Sequence, residues 1–381
     1  MKKALSILLA MGMTVGMVAG CGDTADNSSA AASTEAGTDG TQAAASAADI
    51  KVGVIYIGDE NEGYTAAHMA GIDEMAANLG LSDDQIIEKT TIPEDEKAYD
   101  AAVDLAEQGC DIIFATSFGH ETYILQAAQE YPDIQFCHAT GFKAAGSGLA
   151  NMHNYFDAIY EARYVSGVVA GMKLNEMIEN GDITADQAKI GYVGAFPYAE
   201  VISGFTSFYL GAKSVCESVT MEVQYTNSWA DMTAGVPCVG YNVDMTSVAP
   251  DAALTSPTNN WGVYYTYAVQ CVLDGKAIDT DWCKGFSEDA VRITPVNEAV
   301  AAEGTDAKVE EVEAALKDGS LHVFDTSTFT VNGSSLEDLI AEGGDYAKYA
   351  DYVSDGYYHE SELASAPSFD IIIDGITSQA N

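Results

Sequence analysis

From residue 51 onward the chain alternates between short β-branched apolar runs and longer segments with apolar residues at helical spacing. Residues 51–57 read as a strand and 64–79 as a helix; 95–108 is helical, 111–116 a strand, 121–131 a helix and 134–139 a strand. After a long helix at 158–179 the pattern restarts with strand 189–193, helix 200–215, strand 220–226, strand 238–242 and helix 261–273. Strands interleaved with helices of this length form βαβ units, whose helices cover both faces of a parallel sheet. The expected fold is α/β: two successive lobes, each a parallel sheet flanked by helices, with a ligand cleft between them.

The first fifty residues follow different rules. Lys2 and Lys3 precede an uncharged apolar stretch at 4–18, and small residues then lead into Cys21. A basic flank, a short apolar core and small residues before a cut site mark a secretory signal, here 1–20. The stretch is shorter than the roughly 20 residues that span a bilayer. Cysteine directly after Val18-Ala19-Gly20 reads as a lipobox, with Cys21 the acylated N-terminus. Residues 22–49 contain no aromatic and no long aliphatic side chain, so they cannot bury enough surface to fold. They are expected to form a tether with a reach of about 30 Å. These features place the remainder at the outer face of a cell membrane, held there by lipid.

Charge narrows the partners. The chain carries a formal −42, and −44 once Lys2 and Lys3 leave with the signal. Such a surface repels phosphates, which excludes nucleic acid and anionic headgroups as direct partners. Cys110, Cys137, Cys216, Cys238, Cys271 and Cys283 form no C-x-x-C pair, so they read mainly as buried thiols; zinc spacing is absent, and no metal or cofactor is expected. Ile50 onward is long enough for two lobes: an N-terminal lobe at 50–157, to which the chain returns near 254–324, and a C-terminal lobe at 158–253. An acidic, tyrosine-rich extension follows at 325–381, with helix-like 336–342 and strand-like 370–376, packing along the lobes or the hinge.

In parallel sheets a ligand sits beyond the carboxyl ends of the strands. That rule selects 58–64, 117–121, 194–200, 227–231 and 241–245. Tyr64, Phe118, Phe196, Tyr198 and Trp229 fall in these turns. Any one ring could merely plug a loop, but five along one edge suit a planar ligand, since stacking a base contributes about 1–3 kcal/mol. Asp231 and Asp244 offer acceptor oxygens to ligand N–H or hydroxyl groups.

The same turns carry a resemblance. IYIGDENEGYTAAH (55–68), FATSFG (114–119), HATGFK (138–143), YEARYVSGVVAG (160–171), AFPYAEVISGF (195–205), TNSWAD (226–231), GYNVDM (240–245) and LTSPTNNWG (254–262), in this order, resemble the basic-membrane-protein family of substrate-binding lipoproteins. The resemblance implies a type I periplasmic-binding-protein-like fold, an ABC-importer permease as partner, and a purine nucleoside or base as ligand. It implies a monomer whose lobes close about a hinge on the solute before docking the permease. Tyr64 stands where relatives often carry a tryptophan that covers the ligand. Phe118 and Gly119 match the first-lobe pocket turn, Phe196 and Glu200 the second-lobe turn, Trp229 the next strand end, and Asp244 a ligand-contacting carboxylate. Glu161 and Arg163 are either an ion pair fixing their helix or ligand contacts.

One interval departs from the family. Only residues 227–237 separate the strand ending at 226 from the one starting at 238. A parallel crossover with its helix needs at least about 10–12 residues, and the family's helix, strand and second helix in this interval need far more. The second lobe is expected to lack one strand and its flanking helices, keeping its fold with impaired binding.

No G-x-S-x-G, H-E-x-x-H or phosphate-loop motif is present, and the six histidines are scattered, so no enzyme is expected. His68, His120 and His138 read as structural or rim residues. A hydrolase using Asp231 and Asp244 rests on spacing alone. An extracellular sensor of the same fold is the other alternative.

Overall fold

The structure, a computed structural model, describes residues 49–226 and 237–379. The expected signal, tether and lipidation site Cys21 lie outside them, as do Trp229 and Asp231. Strands β1 (Val52–Ile55), β2 (Ile86–Lys89), β3 (Ile112–Ala115), β4 (Gln135–Ala139) and β5 (Met152–Tyr155) alternate with helices α1 (Gly63–Leu79), α2 (Lys97–Glu107), α3 (Glu121–Glu130) and the short α4 (Ala144–Ser147). Helix α5 (Ile159–Glu179) leads to β6 (Lys189–Gly194), α6 (Ala199–Val215) and β7 (Thr220–Tyr225). Short strands β8 (Cys238–Val239), β9 (Ala253–Thr255) and β10 (Pro257–Asn259) precede α7 (Gly262–Asp274) and β11 (Asp281–Trp282). Then come β12 (Val291–Ile293), α8 (Thr305–Lys317), α9 (Leu336–Glu342), the hairpin β13 (Val353–Ser354) and β14 (Tyr357–Tyr358), and β15 (Ile376–Gln379).

The first lobe is a six-stranded, all-parallel sheet in the order β11-β5-β4-β3-β1-β2. Its strands read as continuous apolar runs because both faces are buried. Val52, Val54, Ile112, Phe114, Cys137 and Ala139 face the cluster that includes Ile72 of α1 and Tyr264 of α7. Ile55, Ile113, Ala115 and Phe136 face Leu105 of α2 and Ile124 of α3. The strand order reverses between β1 and β3, which opens a crevice at their carboxyl ends.

The second lobe holds β6 and β7 side by side, with the C-terminal strand β15 parallel on β7's other edge. The outer edge of β6 carries no strand among the described residues, and Val193 on it is 64% exposed. β8 pairs instead with β9 as a separate parallel pair. Among the described residues the sheet ends at β6, and the chain resuming at 237 pairs elsewhere.

Helices α5 and α6 pack backbone to backbone. A Cβ on Gly211 would fall 2.0 Å from the carbonyl oxygen of Tyr164, and one on Gly167 2.0 Å from that of Phe208. Only glycine permits this approach.

The structure corrects several sequence-based boundaries. β5 (MHNY) escapes the hydrophobic pattern, yet all four residues are buried. Its polar side chains are satisfied: His153 Nε2 lies 2.8 Å from Gln135 Oε1, and Asn154 Oδ1 accepts the Ala144 N–H at 2.8 Å. The strand expected at 238–242 ends at Val239, because the chain turns through Asn242 at φ 63°. In the tail, α9 falls where expected, but the strand lies at 376–379 and not 370–376. There Asp374 clasps the 330–333 turn at the surface, accepting N–H bonds from Asn332 (3.1 Å) and Gly333 (2.8 Å). Among the described residues, no helix is long and apolar enough to cross a membrane.

Candidate binding cleft

The first-lobe wall begins where β1 turns into α1. Glu62 caps the helix, its carboxylate accepting the N–H groups of Tyr64 and Thr65, each at 2.8 Å. This fixes Tyr64 in the first turn, and its hydroxyl donates to the Thr116 carbonyl at 2.7 Å, just after β3. The Tyr64 ring therefore spans the crevice between β1 and β3. One turn along α1, His68 meets it edge-on (4.5 Å between centroids) and stacks on Trp261 (4.2 Å).

The second-lobe wall is organised around Arg163 of α5. Its guanidinium lies over the Tyr241 ring (4.1 Å) and donates to the Tyr192 hydroxyl at 2.9 Å. Gly204 of α6 leaves room for it, since a Cβ there would come within 2.9 Å of Nε. Glu200, in the first turn of α6, is pushed up to about 7 by burial, with the charge of Arg163 opposing. Tyr64 is held well above its ordinary value by burial and then by the nearby negative charge of Glu200, which puts these two residues of opposite lobes in one electrostatic neighbourhood. Glu161 does not pair with Arg163; its carboxylate accepts the Phe286 N–H at 2.7 Å and so ties α5 to the 284–290 crossing segment.

A ladder of rings runs across the cleft mouth. Phe118 of the first lobe stacks on Tyr198 of the second at 5.7 Å and 27°. Phe196 stacks on the far side of the ladder, 5.3 Å from Tyr198, and Phe142 lies 6.4 Å from Phe118. Phe118 and Tyr198 are 40% and 45% exposed. Below them, two buried histidines hold the Phe118 turn: His138 Nε2 lies 2.7 Å from the Ser117 carbonyl, and His120 Nε2 lies 3.0 Å from that of Ile92. Burial pushes His138 down to about 3, so it is a neutral donor. His120 and His138 thus hold the turn through their hydrogen bonds to the backbone.

The cleft floor is polar and incompletely satisfied. Asn259 Nδ2 donates to Asn242 Oδ1 (3.0 Å) and the Tyr241 hydroxyl (3.2 Å), while Asn259 Oδ1 and Asn242 Nδ2 have no partner among the described residues. Thr65 Oγ1, His68 Nε2 and Trp261 Nε1 are likewise buried without one. Buried polar groups are nearly always paired, so such a cluster suits hydrogen bonds to a bound molecule.

The sequence-derived candidates divide. Tyr64, Phe118 and Phe196 all belong to these walls. Gly119 serves the turn: its N–H donates to Glu94 Oε1 at 2.8 Å, and a Cβ would come within 2.6 Å of that side chain. Asp244 sits in an exposed turn, where its Oδ1 accepts the Thr246 N–H at 2.8 Å. The second-lobe carboxylate whose charge bears on Tyr64 is that of Glu200. Trp229 lies outside the described residues. Tyr241 and Asn259 were not picked out, because nothing in their spacing separates them from ordinary strand-end polar residues.

The fold and cleft define a class: a two-lobed solute-binding protein. A family model described as PnrA-like ABC transporter substrate-binding protein matches residues 50–238. A purine-binding protein of Brucella abortus (strain 2308) is 31% identical over 311 residues, covering 72% of this chain and 83% of the relative. A putative ABC transporter glucose-binding protein of Haloferax volcanii is 30% identical over 202 residues, 45% of this chain and 48% of its own length. ABC transporter solute-binding proteins from Conexibacter woesei (TM-score 0.55, 18% identity, 72% of this chain and 98% of that one) and Aeropyrum pernix K1 (0.56, 15%, 77% and 96%) share the fold. The chain belongs to the PnrA-like family of ABC transporter substrate-binding proteins, and its role is binding, not catalysis.

Proposed function

We propose that the protein is a lipid-anchored, extracytoplasmic receptor that delivers a purine nucleoside or nucleobase to an ABC permease. The observation that carries the ligand class is the approach of flat rings from opposite lobes, Phe118 and Tyr198, above a floor of unpartnered polar atoms. Rings supply stacking for a planar base, and the amide, indole and imidazole groups supply its edge contacts. The Brucella relative, described as purine-binding, supports the same class. Tyr64, Phe118, Phe196 and Glu200 line the site in this reading, with Gly119 shaping the first-lobe turn. Trp229 is retained on its motif alone, and Glu200 takes the acidic position first given to Asp244. Acylated Cys21 anchors the chain, which acts as a monomer whose lobes close on the ligand and dock the permease.

Calorimetry with adenosine, guanosine, adenine, hypoxanthine and glucose tests the assignment. Purine binding at micromolar Kd or tighter, with no heat from glucose, is the expected result. Glucose binding without purine binding would replace it with a sugar receptor, the class named for the Haloferax relative. Mass spectrometry of the membrane-extracted protein tests for acyl groups on Cys21.

A further inference from the structure

We propose that residues 361–379 form a strap that ties the two lobes together and limits how far they open. The lobes are joined by crossing segments at 156–158, 257–260 and 284–290. One hydrogen bond links the first and third of these, Ala158 N–H to the Lys284 carbonyl (2.8 Å), and beside it Phe156 N–H donates to the Trp282 carbonyl of β11 (3.0 Å). The strap adds a connection made entirely of side-chain and strand contacts.

Its first anchor is on the first lobe. Buried Ser365 donates both its N–H (3.1 Å) and its hydroxyl (3.0 Å) to Asp281 Oδ1. Asp281 belongs to β11, the edge strand of the six-stranded sheet, just before the chain leaves for the third crossing. The middle of the strap is held by Glu360, 2% exposed, whose Oε2 accepts the N–H groups of Ser368 (3.0 Å) and Phe369 (2.9 Å) and the Ser368 hydroxyl (2.7 Å). Phe369 stacks on Phe324 at 4.4 Å, and Phe324 in turn lies 5.7 Å from Tyr160 of α5.

The last anchor is on the second lobe. The Gly375 carbonyl accepts the Met221 N–H at 2.9 Å, and β15 then runs parallel to β7 from Ile376↔Met221 to Gln379↔Gln224. Gly375 has φ 95°, and a Cβ there would fall 1.9 Å from the Tyr209 hydroxyl of α6, so glycine is required at this entry point. Residues 366–375 between the two anchors are held to Glu360 and Phe324 on the way. Rotation of one lobe away from the other must break the Asp281–Ser365 contact or peel β15 from β7. None of these residues faces the cleft, so the strap acts on lobe geometry and not on ligand contacts.

Hydrogen exchange and small-angle scattering on the full chain, without ligand, test this directly. In Asp281→Ala, exchange at the 156–158 and 284–290 amides is expected to accelerate at least tenfold and the radius of gyration to rise, while amides of β1, β3, β4, β6 and β7 keep their rates. Asp281→Asn, which retains an acceptor oxygen, restores slow hinge exchange, and Gly375→Ala reproduces the hinge effect from the other anchor. Unchanged hinge exchange in both Asp281→Ala and Gly375→Ala would overturn the proposal. So would acceleration spread evenly over both lobes, which would make the segment a general stabiliser.

Discussion

Phe118 and Tyr198 belong to different lobes, yet their rings lie 5.7 Å apart and nearly parallel, so the cleft mouth is closed by aromatic contact. Both sit in strand-to-helix turns, after β3 and β6 respectively. A ligand that enters between the lobes exchanges this contact for its own stacking. Phe118→Ala and Tyr198→Ala should each weaken purine binding about tenfold, within the roughly 1–3 kcal/mol of one stacked ring. Both side chains are partly exposed, so thermal stability should change little. Calorimetry beside a melting curve checks both halves of this prediction.

Arg163 supports the second-lobe wall from beneath. Replacing it with Met removes the hydrogen bond to Tyr192 and the cation over Tyr241, a loss of about 1–3 kcal/mol. The Tyr241 ring then loses its seat, and ligand affinity should fall with stability. Lysine keeps the charge without the planar fork, so Arg163→Lys should recover only part of either. Denaturant unfolding and calorimetry on the two variants separate these outcomes.

Two buried carboxyls predict the pH dependence of stability. Glu161 and Glu200 are both pushed up to about 7 by burial, from an ordinary 4.5. The folded state therefore keeps protons that the unfolded chain releases, and stability falls as pH rises from about 4.5 through about 7. On the acid side Asp374 is held below the usual range by its hydrogen bond from Thr330, a contribution lost as that carboxylate protonates. Tm should therefore peak at about pH 4–4.5, between the ordinary aspartate value and the onset of the glutamate loss. Glu161→Gln and Glu200→Gln should each flatten the descending limb, whereas limbs parallel to the wild type would show that these carboxyls are not the cause.

The α5–α6 contact makes a sharp mechanical prediction. Gly211→Ala places a methyl 2.0 Å from the Tyr164 carbonyl, so the helices must separate, at a cost of about 1–3 kcal/mol or more. Gly146→Ala in α4, where nothing lies within 4 Å of the added Cβ, should leave Tm unchanged or slightly higher. Melting curves of the pair test whether close approach, and not glycine content, sets the difference.

Local pattern carried most of the architecture. The 2-fold and 3.6-fold periods of apolar residues are properties of contiguous chain, so β1, α1, α3, β4, α5, α6 and β7 could be read without a structure. Parallel pairing followed from the helices between the strands, and the cleft edge from the carboxyl-end rule, which is why Tyr64, Phe118 and Phe196 were within reach.

What remained depended on which distant segments meet. β5 is polar in sequence and buried in fact, because partners on β4 and at the start of α4 satisfy its side chains. Asp244 and Glu200 are both acidic residues near strand ends. Only the packing of α6 against Arg163 buried one beside that guanidinium, while a local turn kept the other in solvent. The pairing of β15 with β7, some 150 residues away in the chain, is a tertiary decision of the same kind. Periodicity determines which face of a segment is buried, and burial against a particular neighbour requires the fold.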